Sequence, residues 1–332
     1  MMNCIACHTS TKPKLKYKIP AGTKLKAPEF NLFECPRCGL GIWSPLIIVE
    51  NFYKYELPST DLSSLGSRPL TPYMEKFFQF NNLNEHHSIL DVGCGDGAFL
   101  QHCKKYTPNV SGLDFDEKCI AACKTRGISD VQLASVENYY LQNKNLSNNF
   151  DFISFFEVLE HQDKHKQFIN TIRSLLSDNG KIIGSVPNSN RPLVWLERAL
   201  VNKKFHFETG DYPPPHLTRW TEESLRCFFS NNGFEVMRIE PVGFGGFTKT
   251  MSWTRYVLLV PIWKLLGGSN PMEISIKKTE QNSSTNSFDL KSLVKFVLFT
   301  SLWNIIFGIF HIFYQKKGYQ IYFEVKKAKM PR

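Results

Sequence analysis

The stretch Ser88-Ile-Leu-Asp-Val-Gly-Cys-Gly-Asp-Gly-Ala-Phe-Leu100 decides the fold of this chain. It opens with a short apolar run, passes through glycines at 93, 95 and 97, and continues with an apolar pattern of helical spacing. This order predicts a β-strand, a tight glycine loop and an α-helix. Alternating glycines clear side chains from the strand end, and we expect their backbone N–H groups to face a ligand. A nucleotide-like ligand is therefore the first hypothesis.

A second strand pattern, Val110-Ser-Gly-Leu-Asp114, follows and ends in an acid. The glycine spacing alone also fits the dinucleotide fingerprint G-x-G-x-x-G/A, so the loop does not choose the ligand. The position of the acid adds weight, because a carboxylate at the end of the second strand can meet ribose hydroxyls.

Four motifs in this order resemble the class I S-adenosylmethionine methyltransferases. They are the glycine stretch, Gly112-Leu-Asp-Phe-Asp116, Phe150-Asp-Phe-Ile-Ser-Phe-Phe-Glu-Val-Leu-Glu-His161 and Gly180-Lys-Ile-Ile-Gly-Ser-Val-Pro-Asn188. The resemblance implies an α/β, Rossmann-like fold with a seven-stranded, mostly parallel sheet, and S-adenosylmethionine as the methyl donor. An NAD enzyme and a domain that only binds a partner are the alternatives.

The resemblance also nominates the residues that hold the cofactor. Asp114 is expected on the ribose and Phe115 beside the adenine, while residues after the third strand meet the adenine through their backbone. The complete set is Asp91, Gly93, Gly95, Gly97, Asp114, Phe115, Ser135 and Val136. Arg68 and Tyr73 precede the glycine stretch; either could touch the methionine carboxylate, and a surface role is favoured for both.

The catalytic candidates follow the fourth strand, in Glu157-Val-Leu-Glu160-His161. His161 has an ordinary pKa near working pH and could remove the proton of an acceptor hydroxyl. The group also resembles the ubiquinone-pathway O-methyltransferases, in which the matching acids and histidine are thought to hold a divalent ion such as Mg²⁺. In the third interpretation these residues only cap the next helix and line the pocket. We favour His161 as the base.

The irregular, aromatic stretch from 191 to 218 predicts a lid over the acceptor. It ends in Pro-Pro-His216-Leu-Thr-Arg-Trp-Thr, a sequence that recurs in the family. His216 is therefore a second candidate base, with a structural, hydrogen-bonded histidine as the alternative. A helix over 163–178, stopped by Asn179-Gly180, and a strand from Lys181 to Val186 are predicted before this stretch.

Two C-x-x-C pairs, Cys4/Cys7 and Cys35/Cys38, are separated by 27 residues. Two such turns place four thiolates where they can close a tetrahedral zinc shell. We predict a small zinc ribbon with a structural or substrate-presenting role; four unligated buried cysteines or a redox pair are the alternatives. Aromatic residues that would stack on bases are sparse there, which disfavours nucleic acid as a partner.

Of the 332 residues, 42% are hydrophobic, which is normal for a globular core, and the formal net charge of +10 could suggest nucleic acid as a partner. The lysines concentrate at 12–26 and 316–332, where the second group flanks an apolar run and fits an anionic membrane surface. We expect no cleaved secretory signal, because no apolar run precedes Cys4. Nine cysteines then indicate a reducing cytoplasm.

An apolar insertion separates the last two predicted strands. Phe296–Tyr314 is nineteen residues without formal charge, long enough to span a membrane. A single crossing would leave the strand 319–325 on the wrong side of the sheet it should complete, and Tyr256–Leu266 is too short to return. We therefore predict two helices that dock on the inner face of the membrane, with a cap on this domain or on a second subunit as the alternative.

The predicted organisation has five parts: a zinc ribbon at 1–45, a linker and cofactor-covering helix at 46–87, the methyltransferase domain at 88–243, the helical insertion at 244–318, and the last strand with a basic tail at 319–332. The predicted reaction is methyl transfer to a small-molecule or lipid-linked acceptor, with a hydroxyl in quinone-type or cell-envelope polysaccharide biosynthesis favoured. Sugar C- or N-methylation and a non-catalytic binding module are the alternatives. The sequence does not indicate an oligomeric state.

Overall fold

The computed structural model describes residues 2–17, 28–49, 68–143, 149–191, 212–243 and 318–328. The chain divides into two compact units. The first contains Met1–Asn190, Glu208–Val242 and Gln320–Arg332, and the second contains Arg191–Phe207 and Gly243–Tyr319. Nearly all of the second unit lies outside the described residues, so the elements below belong to the first.

Seven strands form the central sheet. They are β4 (Ile89–Val92), β5 (Val110–Asp114), β6 (Val131–Leu133), β7 (Phe150–Phe156), β8 (Leu176–Pro187), β10 (Phe234–Val242) and β11 (Gln320–Lys327). Their order across the sheet is β10-β11-β8-β7-β4-β5-β6. The five strands from β8 to β6 run parallel, and β11 is antiparallel to both of its neighbours. The predicted seven-stranded, mostly parallel sheet is confirmed.

Six helices of the described residues accompany these strands: α1 (Pro72–Phe80), α2 (Ala98–Cys103), α3 (Glu117–Thr125), α4 (Val136–Gln142), α5 (His165–Leu175) and α6 (Glu222–Asn231). Local chemistry fixes their first residues. Pro72 occupies the first turn of α1, where a missing N–H costs nothing, and the Asp116 side chain accepts from the Lys118 N–H to cap α3. Thr221 and Ser224 form a reciprocal capping box on α6.

The C-terminal end of α5 differs from the prediction. The helix stops at Leu175, and β8 begins at once with Leu176, so Asn179 and Gly180 lie in a strand instead of ending a helix. Leu176 is fully buried and pairs with Phe150 of β7. Burying this side chain in the sheet outweighs the local stop signal, which is a tertiary effect that sequence periodicity does not show.

The ribbon strands are β1 (Lys12–Tyr17), β2 (Phe30–Glu34) and β3 (Gly41–Ser44), joined as an antiparallel sheet. A fourth strand, β9 (Thr218–Arg219), comes from much later in the chain and pairs with β3. The buried ribbon cysteines belong to the same hydrophobic cluster as Trp220 and Phe228. The ribbon is therefore built into the core of the first unit.

The last strand, β11, lies between β10 and β8, so the chain does return to complete its sheet after the insertion. The predicted apolar segments Tyr256–Leu266 and Phe296–Tyr314 lie outside the described residues, and the prediction of membrane docking stays a prediction. No helix within the described ranges is long and apolar enough to cross a membrane.

Candidate active site

The candidate site lies at the carboxyl edge of the parallel strands. β4 lies between β5 and β7 in the sheet. The chain passes from β4 to β5 on one side of β4, and it later reaches β7 on the other side. In open α/β sheets, the crevice at such a reversal of strand order is where ligands bind. The glycine loop, the Asp114 turn and the Glu157–His161 turn all follow strands at this edge.

The glycine loop provides space. Gly93, Gly95 and Gly97 have φ values of +75°, +54° and +78°, in the left-handed region that favours glycine. A Cβ atom on Gly93 would lie 2.6 Å from a methyl group of Val158, whereas a Cβ on Gly95 would meet nothing within 4 Å. Gly95 therefore faces open space at the ligand edge of the sheet.

The expectation that these glycines present free N–H groups is wrong. Each N–H donates within the protein: Gly93 to the Leu113 carbonyl at 2.7 Å, Gly95 to Asp114 Oδ2 at 2.8 Å and Gly97 to the Cys94 carbonyl at 3.0 Å. The loop is hydrogen-bonded to itself and to β5. What it offers a ligand is therefore space without side chains, and not free N–H groups.

Asp114 and Phe115 stand at the end of β5 as predicted. The Asp114 carboxylate accepts from the N–H groups of Gly95 and Asp116, and burial raises the pKa of this carboxyl. Phe115 is 65% exposed, and Leu133, which pairs with Asp114 in the neighbouring strand, is 50% exposed. An acid beside two exposed apolar side chains suits a ligand with a ribose and a flat base.

The residues predicted after β6 have different surroundings. The Ser135 hydroxyl accepts from the Asn138 N–H and caps α4, so this side chain is committed to the helix. Val136 is 2% exposed and packs in the core. Any contact that Val136 makes with a ligand must therefore come from its backbone, which agrees with the expectation for adenine.

Asp91 is buried between β4 and β7. Its Oδ1 atom accepts from the Ser154 hydroxyl at 2.7 Å, and it is 1% exposed. Burial raises the pKa of the Asp91 carboxyl to about 7, against the opposing effect of the Ser154 hydrogen bond. The group therefore changes charge within the neutral range.

We expect Asp91→Asn to stabilise the protein above pH 7. The amide still accepts from Ser154 and carries no charge. The wild-type carboxyl keeps its proton in the folded state up to about pH 7, but ionises near 3.8 when unfolded. The folded state therefore binds more protons between these values, and its stability falls as the pH rises through them. At ~1.4 kcal/mol per pKa unit, the advantage of the variant grows by up to about 4 kcal/mol.

Urea unfolding of both proteins without cofactor, below pH 5 and at pH 8, measures this difference. Because all other groups are common to the two proteins, the comparison isolates Asp91. An advantage of equal size at both pH values would contradict the prediction.

Glu157 carries backbone strain at the end of β7. Its φ of +57° lies in the left-handed region, which is uncommon for a residue with a side chain. Its N–H donates to the Ser185 carbonyl at 2.9 Å, and its Oε1 accepts from the Ser185 hydroxyl at 2.8 Å. These contacts tie Glu157 to β8. Strained residues of this kind concentrate at functional sites.

Glu160, His161 and His216 form one cluster. Both histidine Nε2 atoms lie 3.9 Å from Glu160 Oε1, and the two imidazole rings are 4.7 Å apart between centroids. Glu160 is 1% exposed, and the histidines are partly exposed. The structure thus joins the two histidines that the sequence offered as separate candidates. Glu157 is outside this cluster.

The hydrogen bond of His161 identifies its reactive nitrogen. Nδ1 lies 2.6 Å from the Pro215 carbonyl oxygen, which can only accept, so Nδ1 carries the proton. Burial, together with nearby His216, lowers the pKa of His161 to about 3. The ring is therefore neutral at pH 7, with the Nε2 lone pair on the side of Glu160 and His216.

The cluster also has the donor atoms of a cation site. One carboxylate oxygen and two imidazole nitrogens lie within 4.8 Å of one another, and the Pro215 contact on the opposite ring nitrogen is typical of metal-binding histidines. Two imidazoles favour a transition metal over Mg²⁺, which prefers oxygen ligands. A cation here would polarise an acceptor oxygen. The expected Glu157–Glu160–His161 ligand set is not brought together.

The four ribbon cysteines fit a zinc ion. Their sulfurs lie within 4.8 Å of one another, with Cys4–Cys38 at 3.6 Å and Cys7–Cys35 at 3.4 Å, and all four are buried. Tetrahedral zinc with ~2.3 Å bonds places sulfurs about 3.8 Å apart. The two knuckles also match: His8 and Gly39 both have positive φ and donate their N–H to the carbonyl of the first cysteine. Such a pair of turns around four sulfurs is typical of a structural zinc site.

Tyr73, for which the sequence suggested a surface role, is half-buried at the site. Its ring lies 5.5 Å from that of Phe156. Burial and the negative charges of Glu157, Glu160 and Asp91 raise the pKa of its hydroxyl. The only signal in the sequence was its place at the start of the helix before the glycine stretch. Arg68 is exposed, as expected.

Known proteins share this arrangement of motifs. The family described as "Methyltransferase domain" matches residues 66–239, more than half of the chain. A ubiquinone biosynthesis O-methyltransferase of Coxiella burnetii is 26% identical over 166 residues, covering 46% of this chain and 69% of that protein. One of Histophilus somni is 31% identical over 159 residues, covering 44% and 66%.

A solved structure, a SAM-dependent methyltransferase from Archaeoglobus fulgidus, is 18% identical with a TM-score of 0.45, and the match covers 76% of this chain and 92% of that one. The family match spans the glycine loop, the Asp114 turn and the Glu157–His161 turn. The chain belongs to the class I S-adenosylmethionine-dependent methyltransferases.

Proposed function

We propose that this methyltransferase transfers the methyl group of S-adenosylmethionine to a hydroxyl oxygen of a small-molecule or lipid-linked acceptor. The observation that carries the proposal is the neutral His161 ring, which the Pro215 carbonyl holds in one tautomer beside buried Glu160. A sulfonium methyl group is already activated, so the protein must mainly align the acceptor oxygen at about 3 Å and remove its proton. This cluster provides the proton acceptor.

In the proposed reaction, the acceptor oxygen attacks the methyl carbon, the carbon–sulfur bond breaks, and S-adenosylhomocysteine leaves. The hydroxyl proton becomes strongly acidic as the carbon–oxygen bond forms, so a base of low pKa suffices. His161 Nε2 takes this proton, and the Glu160 carboxylate stabilises the imidazolium that results. The His216 ring lies 4.7 Å from that of His161, and we assign it to orienting the acceptor.

We assign the cofactor to the carboxyl edge of β4, β5 and β6, beside the catalytic cluster that follows β7. Asp114 holds the ribose hydroxyls, Phe115 and Leu133 flank the adenine, and the open space at Gly95 admits the methionine portion. Gly93 and Gly97 shape the loop, and the backbone after β6, at Ser135 and Val136, meets the adenine edge. We assign Asp91 and Tyr73 to positions near the methyl donor.

We expect Asp114→Asn to weaken S-adenosylmethionine binding by about 10- to 100-fold, because a charged hydrogen bond to the ribose contributes ~1.5–3 kcal/mol. The single amide oxygen can still accept from the Gly95 N–H, so the glycine loop should keep its shape, although the bond from the Asp116 N–H is lost. Isothermal titration of wild type and variant measures the loss. Asp130→Asn, at the opposite end of the neighbouring strand, is the matched control, and equal affinities for all three proteins would remove Asp114 from the cofactor site.

A phenolic acceptor of the quinone type is supported by the names of the relatives, and a polysaccharide or lipid-linked acceptor by the apolar sequence of the insertion. Purified protein with methyl-labelled S-adenosylmethionine should be supplied with a catechol carboxylate, a free hexose and a lysate of its host, each separately. Label in an alkali-stable ether of the catechol or of a lysate lipid or polysaccharide supports O-methylation.

Label only in protein or nucleic acid, or on a carbon or nitrogen atom, would overturn the hydroxyl assignment. Cofactor binding without transfer to any fraction would favour the non-catalytic alternative. Adding a chelator to the same assay, followed by Mn²⁺ or Zn²⁺ separately, tests the cation interpretation. Because the four ribbon cysteines select Zn²⁺, transfer restored by Mn²⁺ without Zn²⁺ would assign Glu160, His161 and His216 as ligands.

A further inference from the structure

The ribbon reaches the candidate active site through one strand. β3 pairs with β9, with Gly41 opposite Arg219 and Ile42 opposite Thr218. One residue further on, the Trp43 N–H donates to the Leu217 carbonyl at 3.0 Å. The short segment that follows His216 is thus bound along its length to the edge of the ribbon sheet.

The opposite side of this segment is bonded to the catalytic turn. The Leu217 N–H donates to the Glu160 carbonyl at 2.8 Å, and the Pro215 carbonyl accepts from His161 Nδ1 at 2.6 Å. Leu217 therefore links Trp43 of the ribbon to Glu160 by two consecutive backbone hydrogen bonds. The segment 215–219 lies between the ribbon and the catalytic residues.

Side chains reinforce the ribbon side of this link. The Arg219 guanidinium lies 5.3 Å from the Trp43 ring centroid and 4.6 Å from that of Tyr212, and all three residues are buried. Cation–π contacts of this kind gain strength when they are removed from water. At the zinc knuckle, the Thr221 hydroxyl donates to the Cys38 carbonyl at 2.7 Å.

We propose that the metal-bound ribbon is a positioning element of the acceptor site, which fixes Pro215 and His216 and thereby sets the tautomer and orientation of His161. A two-residue strand such as β9 has too few hydrogen bonds of its own to hold its position, so its place depends on its neighbours, β3 on one side and the Glu160 turn on the other. β3 starts three residues after Cys38, and small knuckles of this type order only when the ion is bound. The effect of the ribbon on the His161 tautomer follows from the geometry alone. The effect on catalysis rests on the proposed function.

The test compares Trp43→Leu with the wild type. This change removes the aromatic partner of Arg219 and leaves the four cysteines intact. Lys14→Ala, which breaks only an exposed ion pair with Glu34 elsewhere in the ribbon, is the matched control. Long-range ¹H–¹⁵N NMR at pH 7.5 reports which ring nitrogen of His161 carries the proton, and methyl transfer to the catechol carboxylate gives kcat and KM.

We expect Trp43→Leu to retain one zinc per chain and to bind S-adenosylmethionine within twofold of the wild type, while His161 loses its single Nδ1–H tautomer and kcat falls tenfold or more. Lys14→Ala should match the wild type in each measurement. Stripping zinc from the wild type should also release the His161 tautomer. Should Trp43→Leu fail to fold, Arg219→Met, which removes the cation from between the two rings, takes its place.

An unchanged His161 tautomer in both the variant and the zinc-stripped protein would overturn the proposal, as would a changed tautomer with unchanged kcat. A different result would contradict the proposed function, namely that the wild type transfers no methyl group to any hydroxyl. The NMR measurement still decides the positioning role in that case.

Discussion

We expect His161→Asn to lower the rate of methyl transfer by about 10²- to 10⁴-fold, the usual contribution of a positioned general base. The asparagine amide can take the place of the Nδ1–H group and donate to the Pro215 carbonyl, as His161 does now. It has no atom at the position of Nε2. The variant therefore removes the proton acceptor and keeps the contact that holds the turn.

Single-turnover transfer from labelled S-adenosylmethionine measures this loss, with cofactor affinity measured on the same protein. We expect that affinity to stay within about threefold of the wild type, because His161 is assigned to the acceptor. His86→Ala is the control, since the His86 side chain is largely exposed and lies beside the exposed carboxylate of Glu85. Wild-type transfer rates in His161→Asn would remove His161 from the mechanism.

The second large effect is expected from Cys38→Ser, which removes one of the four sulfurs. We expect the protein to lose its zinc and its melting temperature to fall by about 10 °C or more. Structural zinc contributes ~10–16 kcal/mol in isolated fingers, and ~1 kcal/mol corresponds to a few degrees for a domain of this size. The loss should extend beyond the ribbon, because the cysteines share a hydrophobic cluster with Trp220 and Phe228.

Metal analysis of the purified variant and calorimetry measure the two effects. Cys119→Ser is the matched control, because Cys119 is also buried but lies on α3, outside the cysteine cluster. A Cys38→Ser protein that retains one zinc per chain, or that melts together with the control, would refute the structural role of this site.

Much of the fold was readable because its signals are local. Glycines at alternate positions, an acid at the end of the next strand and apolar runs of strand length each depend on neighbours in the chain. The prediction of strand–loop–helix around Gly93 and of Asp114 at the cofactor edge needed no distant contact.

The errors have a common physical cause, which is that long-range pairing overrides local preference. Asn179 and Gly180 are good helix stops, yet Leu176 gains more from pairing with Phe150 in the sheet. The glycine N–H groups were expected to face a ligand, but β5 lies close enough for Leu113 and Asp114 to accept from them. Neither partner could be inferred from the spacing of the glycines.

The sequence by itself determined the class of the protein, since the four motifs and the cysteine pairs carry their chemistry in their own spacing. Only the tertiary structure decided the composition of the active site. It brought His216 to Glu160 and His161, turned Glu157 toward Ser185, and placed the ribbon against Leu217. Contacts between residues far apart in the chain depend on how the sheet and the ribbon pack together, and packing leaves no periodic pattern in either segment alone.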